Sequence, residues 1–314
     1  MTNVLYVNHG LGTKCGVYDF GVRHFASLRN TDDVYFYYRE INTLDEYLTQ
    51  CEEVRPDAVF FNYMHMVLPW VGAGIKAFPA KLFVIQHLYD NDSVSPLMNA
   101  YAGLFDYMIC LDPSLPTSDS RIFALGRPIP TLSVAPRALS EHVNIGSFGF
   151  GMPHKQFHLI AREINRCFDN ATFNLHMTVG DFTGDYSAGI IESVEAELTK
   201  PGVTLNWTST YLSESEVVEK MSMNDMNALF YALPKYNAGL SSAADYMVAA
   251  QRPLLVSDCA SFKHLLHGTY QWPSVSFGEI AGNWDWCQNH SFELYERSVN
   301  KLSQDTIAML KKTL

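Results

Sequence analysis

Apolar residues in this chain come in short runs rather than long stripes. Asn3–Asn8 (NVLYVN), Ala58–Asn62 (AVFFN) and Lys81–Gln86 (KLFVIQ) are almost unbroken β-branched and aromatic segments. Such runs fit strands buried on both faces of a parallel sheet. Between them the polar positions return at helical spacing. The pattern predicts helices over Val17–Leu28, Leu44–Val54 and Pro96–Phe105, the second of them ended by Arg55-Pro56, and further strands over Val34–Tyr38 and Tyr107–Leu111. Strand and helix alternating at this interval predict an α/β fold with a doubly wound parallel sheet.

Around Leu115 to His142 the pattern dissolves into Pro, Ser and Arg, with prolines at 113, just before it, and at 116, 128, 130 and 136, which reads as an interdomain segment. The alternation then restarts. Strands are expected at Val143–Phe148, Ala171–Val179, Val203–Trp207, Ala228–Tyr231 and Leu254–Ser257, and helices at His158–Cys167, Gly189–Leu198, Ser213–Met223 and Ser242–Ala250. Phe292–Leu314 reads as a closing amphipathic helix. The expected organisation is an N-terminal Rossmann-like domain over 1–140, a second over 141–290 and the closing helix over 291–314.

Composition narrows the function classes. With 314 residues, 47% of them hydrophobic, the chain can bury two cores, which excludes a disordered or disulfide-dependent scaffold. A net charge of −11 disfavours bulk nucleic-acid binding, though not a local basic pocket for one phosphate group. The cysteines at 15, 51, 110, 167, 259 and 287 stand singly, without metal-ligand spacing, as free thiols in a reducing compartment do. The N-terminus MTNVLYVNHG shows no secretory pattern and no apolar stretch approaches the length of a membrane span, so a cytoplasmic protein is expected.

In an open parallel sheet ligands bind beyond the carboxyl ends of the strands, so the loops there carry the candidate chemistry. After the first strand comes Asn8-His-Gly-Leu-Gly12-Thr-Lys-Cys-Gly16, a glycine-rich turn that is neither a dinucleotide fingerprint nor a P-loop. At the matching place in the second half, Gly146-Ser-Phe-Gly-Phe150-Gly-Met-Pro-His-Lys155 reads as a glycine-rich turn ending in a lysine before a helix, suited to a diphosphate. Gly239, Ser241 and Ser242 make a helix start whose amides and hydroxyls can hold phosphate, with Asp245 one turn on as a ribose acceptor or a helix-dipole partner. His87 follows a strand directly and can hydrogen-bond a sugar hydroxyl, act as a base or be structural. Asp90 and Asp92 have a D-x-D spacing that could hold a divalent cation. Arg121, Arg127 and Arg137 could meet a diphosphate or simply be solvated, and Tyr63–Met66 could line an acceptor pocket or pack in the core. No G-x-S-x-G elbow anchors a hydrolase triad.

Taken together, Val143–Lys155, Leu233-Pro through Gly239-Leu-Ser-Ser-Ala, and Ala249-Ala-Gln-Arg-Pro-Leu-Leu-Val-Ser-Asp258 resemble the donor-binding half of GT-B-fold glycosyltransferases of the retaining, glycogen-synthase-like group, family 4 and its relatives. The resemblance runs in order through nearly the whole chain and is strongest over 143–265. It implies two Rossmann-like domains facing across a cleft and transfer of a sugar from a nucleoside-diphosphate sugar to a hydroxyl acceptor, without a metal or other cofactor. By the same resemblance the Gly12–Gly16 loop lies near donor phosphate and acceptor, His87 contacts the transferred sugar, and Lys155 neutralises the leaving diphosphate. The chain departs from the group where its usual arginine falls on Phe150, and where its E-x7-E glutamates are replaced by Asn237 and by Asp245 or Tyr246.

Three other readings follow from the same residues. A metal-dependent GT-A-type transferase would use Asp90 and Asp92, but the two glycine-rich openings count against a single nucleotide domain. A sugar or nucleotide binder without turnover would account for the missing glutamates. An enzyme glycosylating hydroxymethylated DNA bases conflicts with the charge of −11. The expected acceptor is a hydroxyl on a glycan, a small molecule or a modified base, the last disfavoured by the charge.

Overall fold

Strands that read as apolar throughout must be covered on both faces, and the computed structural model of the chain shows how this is done. It describes residues 1–12, 14–87, 94–182, 184–232, 240–265, 268–299 and 302–314, with side chains at 297–299 left aside. The chain divides into two compact units, one running over Met1–Pro128 and taking in the C-terminal helix, the other over Ile129–Tyr236 and Ser241–Val299.

The first unit carries strands β1 (Thr2–Asn8), β2 (Val34–Glu40), β3 (Ala58–Tyr63), β4 (Lys81–Gln86), β5 (Tyr107–Cys110) and β6 (Ile122–Ala124), and helices α1 (Gly16–Ser27), α2 (Leu44–Val54) and α3 (Val94–Tyr101). Its sheet has the order β2-β1-β3-β4-β5-β6, with every pair parallel. Alternate residues serve opposite cores. Leu5, Val7, Val59, Phe61 and Val84 pack with Tyr47, Cys51 and Met98 of α2 and α3, while Val4, Tyr6, Phe60, Phe83 and Ile85 pack with Phe20 of α1.

The second unit carries β7 (Val143–Phe150), β8 (Ala171–Thr178), β9 (Val203–Thr208), β10 (Met226–Leu229), β11 (Leu254–Ser257) and β12 (Tyr270–Trp272). Its helices are α4 (Phe157–Cys167), α5 (Ser187–Glu195), α6 (Glu214–Ser222), α7 (Ser242–Ala249), α8 (Phe277–Gly282) and α9 (Trp284–Val299). The sheet order β12-β11-β10-β7-β8-β9 is again wholly parallel and is that of the dinucleotide-binding fold. The strand order reverses between β1 and β3 in the first sheet and between β7 and β10 in the second, the places where such sheets open a crevice for ligands.

Several expectations are corrected. In the tail the described helix starts earlier than Phe292: α9 begins at Trp284 and is described to Val299, and α10 covers Leu302–Thr313. The two bury apolar residues in different cores, Cys287 in the second unit and Leu302, Met309 and Leu310 in the first. The proline-rich stretch contains β6, hydrogen-bonded along β5. Gly146 and Gly149 do not form a turn, because β7 runs on to Phe150. Gly146 instead lies under two asparagines, and a Cβ there would sit 2.0 Å from Asn224 Nδ2 and 2.2 Å from Asn227 Oδ1. No helix among the described residues is long and apolar enough to cross a membrane.

Candidate functional site

At the reversal in the second sheet, β7 ends at Phe150 and the chain turns through Gly151 and a single 3-10 turn, Pro153–Lys155, into α4. A bond from Ala232 N to the His154 carbonyl, 2.8 Å, ties this turn to the segment after β10. The turn brings the Lys155 side chain back over its own strand. An ideal Cβ on Gly149 would lie 2.1 Å from Lys155 Nζ, so a side chain there would displace the ammonium, and the φ of +149° is a backbone conformation that favours glycine. Lys155 is only 8% exposed, and its ammonium lies 5.1 Å from the centre of the Tyr231 ring. Among the described residues no carboxylate or hydrogen bond engages it, so beyond the Tyr231 ring its charge is free to meet an anion.

Tyr231 links the lysine to the start of α7. Its hydroxyl bonds Ser241 Oγ at 2.9 Å, and its backbone N–H and C=O are both held by Ser257 Oγ, at 2.8 and 3.1 Å. Because Ser241 is engaged with Tyr231, it does not cap α7, and Ser242 begins the helix without a side-chain cap. A cation and an uncapped helix N-terminus on one small platform form an arrangement that can take a diphosphate. Asp245 is fully buried in the first turn of α7, where a carboxylate complements the helix dipole. Gly239 and Asn237 lie outside the described residues, as do Asp90 and Asp92.

In the first unit three polar side chains meet where β1, β3 and β4 end. Asn62 Nδ2 donates to Asn8 Oδ1 at 2.8 Å and to the Val17 carbonyl at 2.7 Å, and His87 Nε2 lies 2.7 Å from Asn62 Oδ1. Asn8 Nδ2 in turn donates to the Tyr18 carbonyl and to the Tyr38 hydroxyl. The edge of the Phe20 ring stands against His87, with ring centres 4.8 Å apart. Desolvation pushes the His87 pKa down to about 3, with help from the charges of Arg127 and His9, so the ring is neutral at pH 7. Gly16 opens α1 behind Cys15, which provides no side-chain cap, and Gly12 precedes it in the loop. Glu40, at the end of β2, accepts from Tyr18 and Tyr38 at 2.7 and 3.3 Å.

Asn8, Asn62 and Tyr231 were not singled out from the sequence as site residues, although an asparagine closing each of two apolar runs was a readable signal. Of the linker arginines, Arg121 is forked onto Asp119, and Arg137 is held by Asp225 and the Met223 carbonyl. Arg127 donates to the Leu111 carbonyl and lies over Phe20. Tyr63 packs edge-on against Tyr101 and near Phe105, as part of the core. No group of three or more His, Cys, Asp or Glu positioned to hold a metal occurs among the described residues.

No protein-family model matches the sequence, and no curated protein sequence matches it. Solved structures do. Anabaena HepE in complex with UDP-glucose superposes with a TM-score of 0.70 at 11% identity over the whole of both chains. A glycosyltransferase from Rickettsia africae gives 0.64 at 9% identity, covering 99% of this chain and 96% of that one. The lipopolysaccharide outer core galactosyltransferase WaaB, in its apo form, gives 0.61 at 11% over the whole of both. At these identities the likeness is one of fold: an α/β chain with two wholly parallel six-stranded sheets, matching GT-B glycosyltransferase structures.

Proposed function

We propose that the protein transfers a sugar from a nucleoside-diphosphate sugar to a hydroxyl acceptor, with retention and without a metal. The observation that carries this reading is Lys155, a side chain 8% exposed whose ammonium rests against the Tyr231 ring with no carboxylate or hydrogen-bond partner among the described residues, set at the strand-order reversal of the second sheet. Its charge, together with the uncapped start of α7 at Ser241 and Ser242, would stabilise the departing diphosphate without a cation. Phe150 stands where an arginine would add a second positive charge, so Lys155 has the larger share of that task. Gly239 belongs to the same phosphate-binding segment, and Asp245 supports the helix start from within. In the first unit, His87 is assigned to the transferred sugar, and the Gly12–Gly16 loop to donor phosphate and acceptor. HepE, the neighbour of similar length, has been captured with UDP-glucose, which favours a uridine donor.

The test is a thermal-shift screen with UDP, GDP, ADP, CDP and dTDP and their sugars, with and without EDTA. Ligand at about 100 Kd stabilises by roughly 2.7 kcal/mol. One nucleoside diphosphate should raise the melting temperature regardless of EDTA, and Lys155→Ala should abolish the shift. Stabilisation that needs metal would transfer the reading to Asp90 and Asp92. The missing glutamates favour a second reading, a binder without turnover. It predicts stabilisation by the sugar nucleotide with no release of nucleoside diphosphate over prolonged incubation.

A further inference from the structure

We infer that Asn62 is a positioning residue that locks His87 as the Nε2–H tautomer, so that the imidazole meets its ligand as a hydrogen-bond acceptor through Nδ1. The inference rests on the reading of His87 as the sugar-facing residue and deepens it, because it specifies what the sugar must offer there: a hydroxyl, and not a carboxylate.

The argument starts from the orientation of one amide. Asn62 Nδ2 faces two oxygens, Asn8 Oδ1 at 2.8 Å and the Val17 carbonyl at 2.7 Å. Turning the amide over would place Oδ1 against both acceptors, so the orientation is determined by the network. Asn8 is fixed the same way, since its Nδ2 donates to the Tyr18 carbonyl at 3.1 Å. Asn62 Oδ1 can only accept, and the ring nitrogen 2.7 Å from it must carry the proton. The other ring nitrogen, Nδ1, is then a lone pair, with no partner among the described residues.

Packing holds the lock rigid. Asn8 and Asn62 are both completely buried, and α1 passes directly over them at Gly21. A Cβ at Gly21 would lie 2.4 Å from Asn62 Nδ2 and 2.6 Å from Asn8 Nδ2, so neither amide has room to rotate. Among the described residues the titratable and charged groups acting on the ring are His9, His24 and Arg127, and none of these is an anion that would favour imidazolium. A neutral acceptor nitrogen has favourable contact with a sugar hydroxyl and repels a carboxylate.

Nitrogen-15 NMR of histidine-labelled wild-type protein reads the tautomer directly, with His87 assigned by the signals lost in His87→Gln. The expected result is a protonated Nε2 and an unprotonated Nδ1 at pH 7. A proton on Nδ1, or a doubly protonated ring, overturns the lock. The second test is Asn62→Asp, whose nearer oxygen still accepts from Nε2 and stabilises imidazolium, turning Nδ1 into a donor; its other oxygen faces Asn8 Oδ1 and the Val17 carbonyl, so its melting curve is measured first and Asn62→Ser serves as the uncharged control. With UDP and UDP-glucose as probes, UDP affinity should stay unchanged while UDP-glucose binds roughly two- to tenfold more weakly at pH 6 and recovers at pH 9. A loss that does not vary with pH, or that falls equally on UDP, means that Asn62 is only structural. If neither probe binds wild-type protein, the donor reading fails and the ligand half of the inference with it, while the NMR result still decides the lock.

Discussion

Replacing Gly149 with alanine separates the backbone that holds Lys155 from the charge that Lys155 carries. The added Cβ meets Nζ, the free end of a flexible side chain, at 2.1 Å, so the lysine swings away at little cost in stability. The backbone cannot adjust as cheaply. A φ of +149° is a glycine conformation, and holding alanine there costs about 1–3 kcal/mol, a fall in melting temperature of roughly 2 to 12 °C for a domain of this size. The functional effect follows from moving the ammonium. A hydrogen bond to a charged group contributes about 1.5–3 kcal/mol, so UDP affinity should fall by roughly 10- to 150-fold. Calorimetric titration with UDP on Gly149→Ala, Lys155→Ala and the double variant completes the cycle. Both single variants should lose affinity alike and the double variant no more than either, while the melting-temperature loss from Gly149→Ala persists in both backgrounds. Wild-type UDP affinity in Gly149→Ala would show that the resting place of Nζ is irrelevant to the ligand. Additive affinity losses would show that Gly149 acts by a route other than Lys155.

Gly21→Ala puts the better helix former into the middle of α1, yet its Cβ would intrude on two buried amides, so we expect a net loss of about 1–3 kcal/mol in urea unfolding; a gain would mean that the asparagine pair is loosely packed. His24 and His87 both have folded pKa values pushed down to about 3, chiefly by burial, so each contributes stability that is present above the unfolded value near 6.5 and lost as pH falls below it. Two such groups steepen the loss by up to about 2.7 kcal/mol per pH unit, and a urea midpoint that stays flat from pH 7 to pH 5 would contradict their burial as neutral rings. Phe150→Arg adds a cation at the end of β7, and UDP affinity should rise about tenfold at low salt and less at high salt. Unchanged affinity would place that side chain away from the phosphates.

The strands were legible because a parallel sheet covered on both faces admits almost no polar residue, so β1, β3 and β4 announce themselves as apolar runs whatever their neighbours are. The three-residue strands β6 and β12 carry no pattern of their own and exist by virtue of the strand beside them. Glycine was the least faithful witness. Gly146 and Gly149 have the composition of a turn but stand inside β7, one making room for asparagines and the other for a lysine, and close approach leaves the same letter in the sequence as a sharp bend. The candidate site divides in the same way. Lys155 could be found locally, since it follows a strand and precedes a helix. The pairing of Asn8 with Asn62 could not, because it depends on β3 lying directly beside β1, and that adjacency is a property of strand order and not of either segment. The same consideration explains why the polar end of an apolar run carries information: on a buried strand, a polar side chain at the carboxyl end must find partners from the neighbouring strand, and in an α/β sheet that is the end where ligands bind.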